Sequence, residues 1–137
     1  MLDQTDKDIL RLLKQNARLQ WREIGEQVHM TGQAVGARIR KLEDTGVIQG
    51  YTVMSDPAKQ GMAVQALVTV FLKSWDHQPF LRYLQQEESV SEAHRVSGEG
   101  CYQLRVIVED TDALNAMLDR LLEHGNYRVN MLLGRIK

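Results

Sequence analysis

Apolar residues along the first fifty positions recur at spacings of three and four, whereas beyond about residue 60 several runs alternate with a period of two. That change of period divides the chain. In the first half, Ile9, Leu10, Leu12 and Leu13 form the stripe of a helix. Asp3 is its N-cap, with Asp6 three residues on, and Asp3, Asp6 and Asp8 all suit the positive end of the helix dipole. Asn16 is a fitting stop. A shorter helix from about Gln20 to Val28 buries Trp21, Ile24 and Val28. Thr31 caps a third, which carries Val35, Ile39 and Leu42 on one face and ends at Gly46. The following "GVIQGYTVMSD" alternates as a short strand with a turn near Gln49-Gly50.

The second half reads strand, helix, strand, strand, helix, strand. "VQALVTVFLK" is β-branched and aromatic, and Phe80, Leu81 and Leu84 then stand at helical spacing. Val90, Glu92, His94 and Val96 alternate, as do the neighbours of Tyr102, Leu104, Val106 and Val108. A capped helix carrying Leu114, Met117, Leu118, Leu121 and Leu122 runs to Gly125, and "YRVNMLLGRIK" closes the chain as a strand. This order is that of a ferredoxin-like βαββαβ domain. The predicted class is α+β, with a helix-turn-helix domain over residues 1–50, a linker over 51–61 around "SDPAKQG", and the ferredoxin-like domain over 62–137. Apolar residues on both faces of its first strand predict that the sheet's open face is covered by a second copy of the chain.

Within the first half, the spacing fits a helix-turn-helix. Gly25 is the small residue where two helices cross, His29-Met30 the tight turn, and Val35 and Ile39 the anchors of the second helix. At 100° per residue, Gln33, Ala37, Arg40 and Lys41 fall opposite that apolar face, with Gly36 on the flank and Arg38 at the edge. Charge now changes the picture. The 137-residue chain carries a net charge of −1, so no global field draws it to nucleic acid, yet Arg38, Arg40 and Lys41 crowd into four positions. A solvated helix face with Glu43 and Asp44 as counterions explains them. So does a phosphate backbone, and the hairpin spacing, the Thr31 cap and the uncharged tip favour that reading. Gln33 can read an adenine edge, while Arg18 and Arg22 can add phosphate contacts.

Composition, 43% hydrophobic and 26% charged, is that of an ordered globular protein. Cys101 is the only cysteine, which excludes an intrachain disulfide and fits a reducing compartment. The four histidines lack ligand spacing, the N-terminus is acidic rather than signal-like, and no apolar run approaches the roughly 18 residues of a membrane helix. Neither metal nor cofactor is expected, and the expected location is cytoplasmic. Cys101 beside Glu99 is the only candidate nucleophile, and no histidine is tied to it, so no enzymatic activity is expected. In the loop "SGEGCY", Gly98 and Gly100 fit either a tight hairpin or a cradle of N–H groups for a small anion.

The segments "LDQTDKDILRLLKQNAR", "EIGEQVHMT", "VGARIRKLEDTGVIQGY", "DPAKQG" and "VSG…Y" occur in this order over nearly the full length. With the run R-I-R-K-L-E-x-x-G-V-I-Q-G-Y as its most specific part, the chain resembles the Lrp/AsnC family of bacterial and archaeal transcriptional regulators. That resemblance implies a winged-type helix-turn-helix with Thr31 to Arg40, Gly32 and Gly36 included, as recognition helix and Arg38 as motif arginine. It also implies an effector pocket bordered by Gly98, Glu99, Gly100, Cys101 and Tyr102 at a subunit interface. Here Cys101 stands where the family's G-D-Y-D-Y motif has an aspartate, leaving Glu99 as the loop's acid. The implied partners are double-stranded DNA and further copies of the chain, as a homodimer and then an octamer, on the nucleoid. An amino-acid-like effector is the implied ligand. The alternative is an effector-independent architectural protein that wraps or bridges DNA.

Overall fold

The computed structural model describes residues 1–137, and the chain divides into two compact units, Met1–Met54 and Ser55–Lys137. No helix is long and apolar enough to cross a membrane.

The first unit is three helices: α1 (Gln4–Gln15), α2 (Trp21–Val28) and α3 (Gly32–Asp44). Local chemistry sets their ends. The Asp3 carboxylate accepts the Asp6 N–H at 2.8 Å and the Asp6 carboxylate accepts the Asp3 N–H at 3.2 Å, a capping box built from two aspartates. Thr31 Oγ1 accepts the Ala34 N–H at 3.1 Å to start α3. Between α2 and α3, His29 takes the left-handed conformation (φ 59°) and the Met30 N–H closes the turn onto the Gly25 carbonyl at 2.9 Å. A Cβ on Gly25 would overlap that Met30 carbonyl, so the small residue at the crossing is a steric requirement. Ile9, Leu12, Ile24, Val35, Ile39 and Leu42 make the core.

Trp21 and the segment after Gly46 depart from expectation. Trp21 is 43% exposed rather than buried, because it opens α2 at the rim of the bundle. The strand after Gly46 does not form: only Ile48 docks, its N–H bonded to the Leu42 carbonyl at 2.9 Å. Val47, Tyr51, Val53 and Met54 stay exposed. Alternation specifies a strand only where another edge offers a ladder, and three helices offer none, so this unit carries no wing hairpin.

The second unit starts with a single 3₁₀ turn, Ala58–Gln60, after Pro57. It continues as β1 (Val64–Leu72), α4 (Gln78–Gln86), β2 (Val90–Arg95), β3 (Tyr102–Val108), α5 (Thr111–Leu121) and β4 (Gly125–Met131). The sheet is antiparallel with order β2-β3-β1-β4, the ferredoxin-like arrangement. Ala66, Val68 and Val70 alternate inward on β1, as Leu104, Val106 and Val108 do on β3, and meet Phe80 of α4 and Leu114, Met117, Leu118 and Leu121 of α5. Gly125 lets β4 begin against the Phe71 carbonyl, where a Cβ would collide.

The other face of the sheet carries no helix. Across it Leu67 lies between Arg105 and Asn130, and Thr69 between Gln103 and Arg128. Leu67, Phe71 and Ile107 are half-buried there, an apolar strip fenced by long polar side chains.

Candidate nucleic-acid interface and effector loop

α3 presents two sides of different character. Gln33, Ala37, Arg40 and Lys41 are exposed, as the angular reading predicts. Arg18 and Arg22, flanking the start of α2, are exposed as well. No acidic side chain bonds any of these four cations. Thr31 is at the surface, but its hydroxyl oxygen is engaged in the cap.

Arg38 is placed differently. Only 32% of its side chain is exposed, and its guanidinium donates to Asp6 Oδ1 at 3.1 Å and to Asp3 Oδ2. Both acceptors belong to the capping box of α1, so the motif arginine ties α3 to the start of α1. The Arg38 hydrogen bond, with the Asp6 N–H second, holds the Asp3 carboxyl below the usual carboxylate range; Asp3 in turn raises the affinity of Arg38 for its proton. Expected at the edge of the DNA-facing side, Arg38 has its charge satisfied within the unit.

Gly32 and Gly36 also serve the bundle. A Cβ on Gly36 would overlap the six-membered ring of Trp21, and one on Gly32 would lie 3.1 Å from the Arg22 nitrogen. Spaced by one helical turn, the two glycines let the start of α2 close onto α3. Gly36, expected on an exposed flank, is buried.

Trp21, expected in the core, instead faces α3 at the surface. Its ring rests on Gly36 and the Arg40 guanidinium stands over it, 5.4 Å from the ring centroid. A glycine one turn before an arginine on α3, facing an aromatic at the first position of α2, was the available signal.

In the second unit, the loop joining β2 and β3 is a tight turn with Gly98 and Gly100 at φ 89° and 86°. The Cys101 N–H donates to the Val70 carbonyl at 2.8 Å, and the Val96 N–H to the Cys101 carbonyl at 3.0 Å, pinning the loop to β1 and closing the hairpin. Tyr102 is buried, its hydroxyl 3.0 Å from His77 Nδ1. Glu99 points outward and pairs with Arg128 of β4 at 2.8 Å, with 80% and 67% of their side chains exposed. Arg128 also lies over Phe71, 5.4 Å from the ring centroid. Glu99 and Arg128 thus set opposite charges side by side at the surface. An open groove of about 330 Å³ between α4 and β2 includes Tyr102 in its wall, but not Gly98 to Cys101.

Known proteins decide what this pair of units is. Residues 2–43 match the AsnC-type helix-turn-helix domain, and residues 65–137 match the Lrp/AsnC ligand binding domain. The chain belongs to the Lrp/AsnC family. It is similar to the transcriptional regulator LrpB of Bacillus subtilis, with 45% identity over 99% of this chain and 91% of the relative. LrpA of the same organism is 35% identical over 98% of this chain and 100% of its own. Among solved structures, B. subtilis LrpC superimposes with a TM-score of 0.94 at 28% identity, covering 100% of this chain and 98% of the other. A Neisseria meningitidis transcriptional regulator in complex with L-Met gives 0.92 at 29% identity, covering 100% and 93%. The chain is a DNA-binding transcriptional regulator of the Lrp/AsnC type, with its helix-turn-helix in the first unit and its ligand-binding domain in the second.

Proposed function

We propose that α3 reads DNA through Gln33 and Ala37 at base edges while Arg40, Lys41, Arg22 and Arg18 lie along phosphates. The observation that carries this reading is the unpaired, exposed cationic side of α3, opposite the one arginine that acidic residues hold. Thr31 positions the helix through its cap, and Gly32 and Gly36 through close packing. Ala37 lets the helix sit close to a groove, and Gln33 can pair bidentately with adenine. The second unit pairs with another copy through the open face of its sheet, where Leu67, Phe71 and Ile107 remain to be covered, and dimers assemble further, to an octamer. Such a dimer presents two reading helices to paired half-sites. The protein works on the nucleoid in the cytoplasm.

An amino-acid effector binds beside the Gly98–Tyr102 loop. Glu99 and Arg128 offer a carboxylate and a guanidinium at neighbouring positions, the complement of an α-ammonium and an α-carboxylate. Cys101, in place of the family's aspartate, leaves Glu99 as the loop's acidic group. The meningococcal relative's complex with L-Met makes amino acids the ligand class to try first.

The test is binding to genomic fragments, the protein's own promoter among them, at two salt concentrations with and without a panel of amino acids. Site-selective binding that one amino acid shifts is the expected result. Tight, salt-sensitive binding indifferent to sequence and to amino acids would instead establish an architectural DNA-wrapping protein.

A further inference from the structure

Arg40 and Arg38 are two residues apart, yet each is held by a different element. Arg38 is drawn back to the acids at the start of α1. Arg40 has no acidic partner; its guanidinium stands over the Trp21 ring, and that ring is seated where Gly36 leaves room. An arginine ordinarily loses much rotamer freedom when it docks on a phosphate. A cation resting on an aromatic face has lost part of that freedom before DNA arrives, and the contact with the ring uses none of its N–H donors.

We infer that Trp21 is a positioning residue for DNA binding: seated on Gly36, it pre-orients the Arg40 guanidinium for a backbone phosphate. The inference rests on the reading of Arg40 as a phosphate contact. It gives Gly36 a function through Trp21, and it assigns to Trp21 a share of affinity that carries no sequence preference, since phosphates are alike at every site.

The experiment is a double-mutant cycle on the full chain, with fragment binding measured over a range of KCl and folding followed by circular dichroism. Arg40→Ala is expected to lower the slope of log K against log salt by about one. Trp21→Leu is expected to weaken binding about two- to fivefold in the wild-type background, and not at all once Arg40 is alanine. Trp21→Phe, which keeps an aromatic face, should recover most of the loss. Arg40→Lys, an exposed change that keeps the charge but replaces the planar guanidinium over the ring with a flexible, strongly hydrated ammonium, should keep the slope yet lose affinity; this variant preserves the test if Trp21→Leu melts the bundle. An unchanged slope for Arg40→Ala would overturn the phosphate reading and the positioning role together. A lowered slope, with Trp21→Leu either harmless or equally damaging in both backgrounds, would overturn the positioning role alone. So would wild-type affinity for Arg40→Lys.

Discussion

Each unit contains an arginine engaged by carboxylate, and the two pairs behave as different kinds of interaction. Arg38 is mostly covered, bonds two aspartates, and joins elements more than thirty residues apart in sequence. Arg128 meets a single glutamate in the open, on a turn whose neighbours already fix its backbone. Covered and multiply bonded, the first pair is part of the fold. The second gains little from its own geometry, because water competes for both partners. A charge's role follows from what surrounds it, and the same residue type is framework in one unit and open to solvent in the other.

Arg38→Ala should produce the largest change. It leaves Asp6 covered without its cation and removes the tie between α1 and α3, so the thermal midpoint of the first unit should fall clearly. The pH dependence sharpens the case. Asp3 has its folded pKa lowered, chiefly by Arg38, so the contribution is present above the ordinary carboxylate range and is lost as pH falls through the lowered value. Wild-type stability should therefore decline from about pH 4 downward, and the Arg38→Ala chain should lose less over the same interval. Equal acid sensitivity in both chains would remove the pair from the framework. Its salt slope for DNA should also stay near that of wild type, in contrast to Arg40→Ala.

That contrast marks the limit of what the sequence discloses. The Asp3 cap, the Thr31 cap, the His29-Met30 turn and the alternation of β3 all depend on residues within a few positions, and each is readable directly. The order of elements in the second unit is readable for the same reason. Arg38 is not, because its partners lie at the other end of the three-helix unit and nothing in "RIRKLED" points back to "LDQTD". Family resemblance marks it as a motif residue without saying whether it touches DNA. The flank of Gly36 was open on a lone helical wheel and is filled by Trp21 once α2 packs. The strand after Gly46 was over-read because alternation is local while a ladder needs a partner.

The pair between Glu87 and Arg120 falls between the two extremes. Arg120 bonds Glu87 through Nε at 3.1 Å and Nη2 at 2.7 Å, and Ser89 Oγ donates to the same carboxylate at 2.6 Å. Burial pushes the Glu87 carboxyl up, but the bonds from Arg120 and Ser89 outweigh it and leave the pKa lowered. Arg120→Ala should therefore cost about 1.5–2 kcal/mol, above the range of an open pair, since it leaves a covered carboxylate without its cation, and at the low end for a charged bond because Arg120 itself is half in water. Urea denaturation of the two chains measures it, and a cost as small as that of an open surface pair would collapse the distinction drawn here.

Next to that pair, the Tyr83 hydroxyl is buried; the Glu87 carboxylate and the Arg120 guanidinium lie near enough to act on it, yet neither makes a hydrogen bond of good geometry with it. Burial, then the negative charge of Glu87, pushes its pKa up to about 12, so it stays a neutral phenol across the working range. Tyr83→Phe removes a desolvated polar group and keeps the ring tilted at 31° against His124, 4.9 Å between centroids. The gain in stability should be slight, less than about 1 kcal/mol, level between about pH 6 and pH 9, and larger above about pH 10, where the wild-type phenol ionises in the unfolded chain before the folded one. A measured loss would mean that the hydroxyl has a partner in solution and belongs with the bonded groups.

The smallest effect on stability should come from Glu99→Gln, and it is the most informative for function. The exposed pair with Arg128 contributes about 0–1 kcal/mol at most, so unfolding midpoints should barely move. If the pair were framework, as Arg38 is, the change would destabilise the second unit and leave ligand response proportionate to the folded fraction. If it receives an amino acid, glutamine keeps the shape but loses the charge that meets the ammonium. Whichever amino acid shifts wild-type DNA binding should then need a much higher concentration, while DNA binding without it is unchanged. Arg128→Gln should weaken the same response from the carboxylate side, and a ligand lacking its ammonium group should discriminate poorly between wild type and Glu99→Gln. Stability that stays level while the response is lost would place this pair at the surface as a receiving site, where Arg38 is a tie.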